Sequence, residues 1–197
     1  MSADIAGLDD AGIKQELIER MARDIVAMTA ALESQAGSSA LEAASRGHAG
    51  ENTEFLRSLI ALRGWPTTAR FGEYAQAAAG WLLAFSARID PGFQDRCLLL
   101  LAQLFDAGEV EGGFYAFTVD RVLVTQGRRQ RYGTQVPADR KRLGSDEVED
   151  PLRLNTRRAR IGLEPLEFTP PAHRRPTPQG TRPGPTRSGK RKRRKRP

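Results

Sequence analysis

Apolar residues in this chain recur three and four positions apart, in blocks closed by glycine and proline, a rhythm that leaves room for little except helices. In residues 8–33, Ile18, Met21, Ile25, Met28 and Leu32 alternate the two spacings and form one stripe of an amphipathic helix. Asp9 and Asp10 are placed to cap it and to suit the positive end of its dipole. The stripe lasts about two heptads, short of the ~3–4 that a coiled coil needs. It is expected either to dock on the body or to pair two copies as a homodimer.

Residues 35–50 are rich in Ala, Gly and Ser and read as a linker. Asn52 then caps a helix carrying Phe55, Leu56, Leu59, Ile60 and Leu62, stopped by Gly64 and Pro66. A third helix opens at Thr67 or Thr68 and runs through Tyr74, Trp81, Leu82 and Phe85. Its Ala75, Ala77, Ala78, Ala79 and Gly80 predict close approach by neighbouring helices. Asp90–Pro91 pairs an N-cap with proline at the first helical position and starts a helix that ends at Gly108. In residues 114–124, Val119, Val122, Leu123 and Val124 would suit a strand, whereas Phe114, Phe117, Arg121 and Val124 keep helical spacing; we read a helix. After Gly127 comes an irregular polar loop. Asp150–Pro151 then starts a last polar helix through Arg160, ended by Gly162. Leu163, Pro165, Leu166 and Phe168 follow as an apolar strap. The expectation is an all-α protein. A single helical domain of about five or six helices occupies residues 51–169, preceded by the helix of residues 1–34.

Charge separates this body from its end. Residues 170–197 hold 11 Lys and Arg, no Asp or Glu, and seven of the 12 prolines. Removing those 11 from the total of 31 leaves 20 basic against 24 acidic residues, so the body carries about −4. Such a tail has too little apolar surface to offset its ordering entropy and is expected to be disordered. Lys190, Arg191, Lys192, Arg193, Arg194, Lys195 and Arg196 form a polycation suited to nucleic acid or another polyanion, without sequence preference. An equally good account is a solubilising tail.

Several classes are disfavoured. Cys97 is alone, which rules out an internal disulfide and a cysteine-based zinc site, and its apolar surroundings predict an inert thiol. The opening MSADIAGLDDAG lacks the pattern of a signal peptide, and no apolar run reaches the ~20 residues of a membrane span. A cytoplasmic protein is expected. His48, Glu51 and Glu54 have helical spacing, but surface charge explains them, and no metal site or cofactor is expected. The sequence contains no P-loop, GxSxG or HExxH motif.

The densest polar stretch lies in residues 114–135. Asp120 and Arg121 follow an apolar segment, where Arg121 could clamp a phosphate or carboxylate with Asp120 orienting it, or the two could anchor a loop. Gln130, Tyr132, Thr134 and Gln135 surround Gly133, a residue fit for a left-handed turn. Their donors and acceptors suit a small polar ligand or a partner peptide, or the loop's own buried backbone.

Four ordered blocks carry a resemblance: GWPTTARFGEYAQAAAGWLLAF, DPGFQDRCLLLLAQLFDAGEV, YAFTVDRVLVTQGRRQRYGTQ and RRARIGLEPLEF. Over roughly residues 52–168 the chain resembles the bacterial family called domain of unknown function 6624. The resemblance implies a shared fold and a shared site, and no activity. It also marks a departure, because family members commonly carry Gln-His-Ala where this chain has Phe85-Ser86-Ala87. A member without that histidine could be binding-only. We therefore expect a binding module centred on Asp120, Arg121, Gln130, Tyr132, Thr134 and Gln135. The alternatives are an enzyme of unassigned chemistry using Asp120, Arg121 and Tyr132, and a nucleic-acid-associated protein acting through its tail.

Overall fold

The computed structural model describes residues 5–34, 43, 47–136 and 143–167. Among them are seven α-helices and no strand: α1 (Asp10–Glu33), α2 (Ala49–Arg63), α3 (Thr68–Phe71), α4 (Glu73–Phe85), α5 (Pro91–Asp106), α6 (Gly112–Thr125) and α7 (Leu154–Arg160). The basic residues 190–196, Phe168 and most of the expected linker lie outside the described residues. None of the described helices is long and apolar enough to cross a membrane.

Local chemistry accounts for most boundaries. The Asp9 side chain accepts from Gly12 N at 2.8 Å, and Asp90 accepts from Phe93 N at 2.8 Å ahead of Pro91. The helix expected to run unbroken from Thr68 is split at Gly72, whose φ of 83° no helix accommodates. Gln76, buried in the first turn of α4, caps α3 instead by accepting from Thr68 N. Two expected caps are corrected. The second long helix begins at Ala49, inside the presumed linker, with His48 as its N-cap, so Asn52 is an interior residue. Asp150 offers no side-chain cap, because the chain turns there with a φ of 42° into a 3₁₀ turn before α7.

Helix α4 is the hub. Its Ala75, Ala78 and Ala79 are fully buried, and α1, α2 and α6 pack around it. A methyl at Gly80 would lie 3.1 Å from Thr118 Oγ1 and 3.3 Å from the Phe114 ring, so glycine sets how near α6 comes. Phe55, Leu56 and Leu59 of α2, Phe93, Cys97 and Leu101 of α5, and Ala116, Val119 and Val122 of α6 complete the core. Each fully buried leucine there contributes about 1.5–3 kcal/mol by leaving water. Burial pushes the Cys97 thiol up to about 12, which keeps it protonated and inert.

Helix α1 joins this core by a different face from the one its apolar stripe suggested. Ile13, Leu17, Arg20 and Asp24 point inward, whereas Ile25 and Leu32 of the stripe are 40% and 62% exposed. The inward positions keep the three-and-four spacing, but two of the four are charged. Arg20 pairs with Glu16 on α1 itself, but Asn52 of α2 and His48 at its N-cap complete the set, which the local pattern does not reveal.

A small second cluster of Leu143, Val148 and Leu154, with Leu166 against it, lies beneath the polar loop. It leaves no room at Gly133, where a methyl would meet Leu166 Cδ2 at 2.9 Å and where φ is 69°. Of the expected strap, Leu163 packs against the main core and Leu166 against this cluster.

Candidate functional site

The polar loop is built around one carboxylate. Asp120, fully buried on α6, accepts from Arg131 N at 2.6 Å, Tyr132 N at 3.0 Å, Thr134 N at 2.8 Å and Thr134 Oγ1 at 2.9 Å. Gln130 does the same service on the next turn. Its Nε2 donates to Gln135 O at 2.7 Å, and its Oε1 accepts from Gln135 N at 2.8 Å. The Gln130 backbone pairs with residues 147 and 149, which ties the loop to the segment before α7. Asp120 and Gln130 are therefore occupied in satisfying backbone that no helix or sheet serves, and the Thr134 hydroxyl is spent on Asp120. Tyr132 is also buried, edge-on to Tyr115 with ring centroids 5.9 Å apart. Its burial and Tyr115 raise the phenol to about 12, beyond use as an acid or base near neutrality.

Arg121 leaves α6 in another direction, since successive helical residues stand about 100° apart. Its guanidinium carbon lies 4.4 Å from the Trp81 ring centroid, 5.8 Å from Phe85 and 5.9 Å from Phe117. Among the described residues no carboxylate comes within ion-pair distance, and its buried Nε–H has no acceptor. Burial pulls its pKa below the ordinary arginine value. Asp120, Arg121 and Tyr132 thus face different neighbours and do not make one catalytic set. The Gln135 Nε2 donates to Thr134 Oγ1 at 3.2 Å and lies 3.5 Å from the Phe117 carbonyl.

Beyond Trp81 the structure assembles a polar network that spacing did not suggest. Arg20 is buried, ion-paired to Glu16 at 2.8 Å and stacked on Phe55, and it donates to Asn52 Oδ1 at 3.0 Å. Asn52 Nδ2 donates to Asp24 Oδ2 at 3.0 Å, and His48 Nδ1 lies 3.3 Å from Asp24 Oδ1. Burial raises the Asp24 carboxyl above its ordinary value, against the opposing pull of His48, the nearby Trp81 indole and Asn52. The Trp81 Nε1–H is close enough to Asp24 to matter electrostatically, yet it closes no hydrogen bond of ordinary geometry. Of the residues in this network, His48 had drawn notice for Glu51 and Glu54 rather than Asp24, and Asn52 as a helix cap rather than as the link between Arg20 and Asp24. The available signal was that Arg20 and Asp24 continue the three-and-four spacing of Ile13 and Leu17 along one face of α1.

Asp24 gives a pH prediction with a definite sign. Its folded-state pKa is raised, so its stabilising contribution is present at acid pH and falls as pH rises through that pKa. Asp24→Asn keeps an acceptor for Asn52 and cannot ionise. Denaturant unfolding between about pH 4 and 5.5, below the ordinary histidine range, should show the variant gaining on the parent as pH rises. A constant difference would mean that Asp24 titrates alike in folded and unfolded chains.

Ser86, where the resemblance led us to expect a histidine in family members, is fully buried at the end of α4, with Oγ donating to Leu83 O at 2.7 Å. No cluster of His, Cys, Asp and Glu suited to a metal occurs among the described residues.

Comparison with known proteins returned one result with content. The model of a family described as a family of unknown function, DUF6624, matches residues 11–169, a span that takes in α1 as well as the four blocks noted above. No curated protein and no solved structure matches.

Proposed function

The chain belongs to the DUF6624 family of unknown function, and we propose that it is a binding module for a small anionic ligand received at Arg121 and Trp81. One observation carries the reading. Of the four buried side-chain nitrogens without an acceptor among the described residues, three belong to Arg20, Trp81 and Arg121. Trp81 stands between the other two, its ring under Arg121 and its indole beside Asp24, which Asn52 links to Arg20. Buried donors without partners are costly, at about 1–3 kcal/mol each, and the half-buried Arg121 guanidinium adds a charge with no counter-charge beside it. A carboxylate or phosphate laid against Arg121 would supply both acceptor and charge, held in bidentate fashion with the aromatic rings as backing.

The test is thermal unfolding of the parent, Arg121→Ala and Arg121→Lys with phosphate, sulfate and acetate at fixed ionic strength. A hundredfold excess over Kd stabilises the parent by about 2.7 kcal/mol, a rise of roughly 5–10 °C for a domain of this size. Both variants should lose that rise, because an ammonium neither stacks nor chelates as guanidinium does. The basic tail is common to all three proteins, so the difference isolates Arg121. Equal shifts in parent and Arg121→Ala would sink the reading.

A further inference from the structure

Four arginines surround a pair of adjoining clefts on the other side of α6, away from Arg121. The larger, about 480 Å³, is walled by Arg131, Arg153, Arg157 and Arg160 with Glu149 and Asp150. The smaller, about 340 Å³, shares Arg131, Arg157 and Arg160, carries one carboxylate, Asp106, and is floored by Phe105 and Tyr132. Both volumes fall at the small end of the range for organic ligands.

These arginines divide by what they already hold. Arg157 is committed to the fold: its Nε donates to Arg131 O at 2.8 Å, and its terminal nitrogens donate to the carbonyls of Glu149 and Asp150. The unusual backbone at Asp150, the only non-glycine described residue with positive φ, forms part of the turn that presents those carbonyls. Arg153 reaches Asp150 loosely at 3.6 Å. Arg131 and Arg160 are different, since among the described residues neither has a carboxylate within ion-pair distance, and both line both clefts. The last turn of α7 tolerates cations by its dipole, but that effect does not reach Arg131, which comes from the polar loop.

The smaller cleft adds a flat apolar wall. Phe105 and Tyr115 stack at 5.1 Å with planes 9° apart, Tyr132 meets Tyr115 edge-on, and Ala102 and Ile161 extend the surface. Two guanidiniums without a carboxylate partner, that of Arg131 lying 6.0 Å over the Tyr132 ring, suit a dianion joined to a planar group.

We propose that this cleft binds an organic phosphomonoester, with the phosphate between Arg131 and Arg160 and its planar group against Phe105. A nucleotide and a simple aryl phosphate share that chemistry. This site is independent of the one at Arg121.

Titration calorimetry of the full chain with adenosine monophosphate, phenyl phosphate and inorganic phosphate tests it. The parent should bind at least one of the two esters about tenfold more tightly than inorganic phosphate, because only the esters reach the ring wall. Whether adenosine monophosphate or phenyl phosphate binds better assigns the source. Arg131→Gln/Arg160→Gln should lose about tenfold or more in ester affinity, while Arg23→Gln, which removes one exposed charge from α1, should keep it. The double variant should unfold close to the parent, since neither side chain holds the fold; if it does not, Arg160→Gln alone serves. Unchanged ester affinity in the arginine variants would overturn the proposal. So would equal binding of both esters and inorganic phosphate, which is the signature of the polycationic tail.

Discussion

Replacing Asp120 with alanine is expected to remove about 3–5 kcal/mol of folding stability. The carboxylate is fully buried and accepts from three backbone N–H groups and one hydroxyl. Truncation would strand all of them beneath the loop, with Arg158 losing the nearby charge that favours its own. Bonds to a charged acceptor are individually worth about 1.5–3 kcal/mol, but their losses do not add in full because the loop can partly relax. Asp120→Asn keeps one acceptor oxygen and should fall between, at about 2 kcal/mol. Urea denaturation would measure both. An alanine variant within about 1 kcal/mol of the parent would mean that the carboxylate is not what organises residues 128–136.

Gly112→Ala should be nearly as damaging. A methyl at this position would overlap the Ile161 carbonyl oxygen and lie 3.0 Å from its carbonyl carbon. The obstacle is backbone, so no side-chain rotation relieves it. Either the start of α6 or the end of α7 must shift, at about 2–4 kcal/mol, with a fall in melting temperature of roughly 6–12 °C. Gly113→Ala is the internal control. Its methyl would meet nothing within 4 Å, and alanine is the better helix former, so that variant should be neutral or slightly more stable. If the two substitutions behave alike, the close approach of α6 to Ile161 is not tight in solution.

How far the sequence could be read depended on whether a residue's partners were local. The helix started by Asp90–Pro91 and the segment of residues 114–124 were legible, because capping and three-and-four spacing are decided within one or two turns. The break at Gly72 was not legible, since a glycine inside a helical pattern is ordinarily tolerated. The inward face of α1 was missed for a longer-range reason. Arg20 and Asp24 look like surface charge until Asn52 arrives, 32 and 28 residues away, to join them. The crowding of residues 120–135 was visible, but not its direction. Composition announces many donors and acceptors, whereas only geometry says that Asp120 and Gln130 spend theirs inward while Arg121 does not.

The lone thiol of Cys97, sealed in the core on α5 and held protonated, makes the molecule its own reporter. With no second cysteine in the chain, a thiol reagent can be consumed at one atom alone, and only when α5 parts from its neighbours. The alkylation rate in native buffer therefore counts breathing events of the helical body, with no label added and no residue changed.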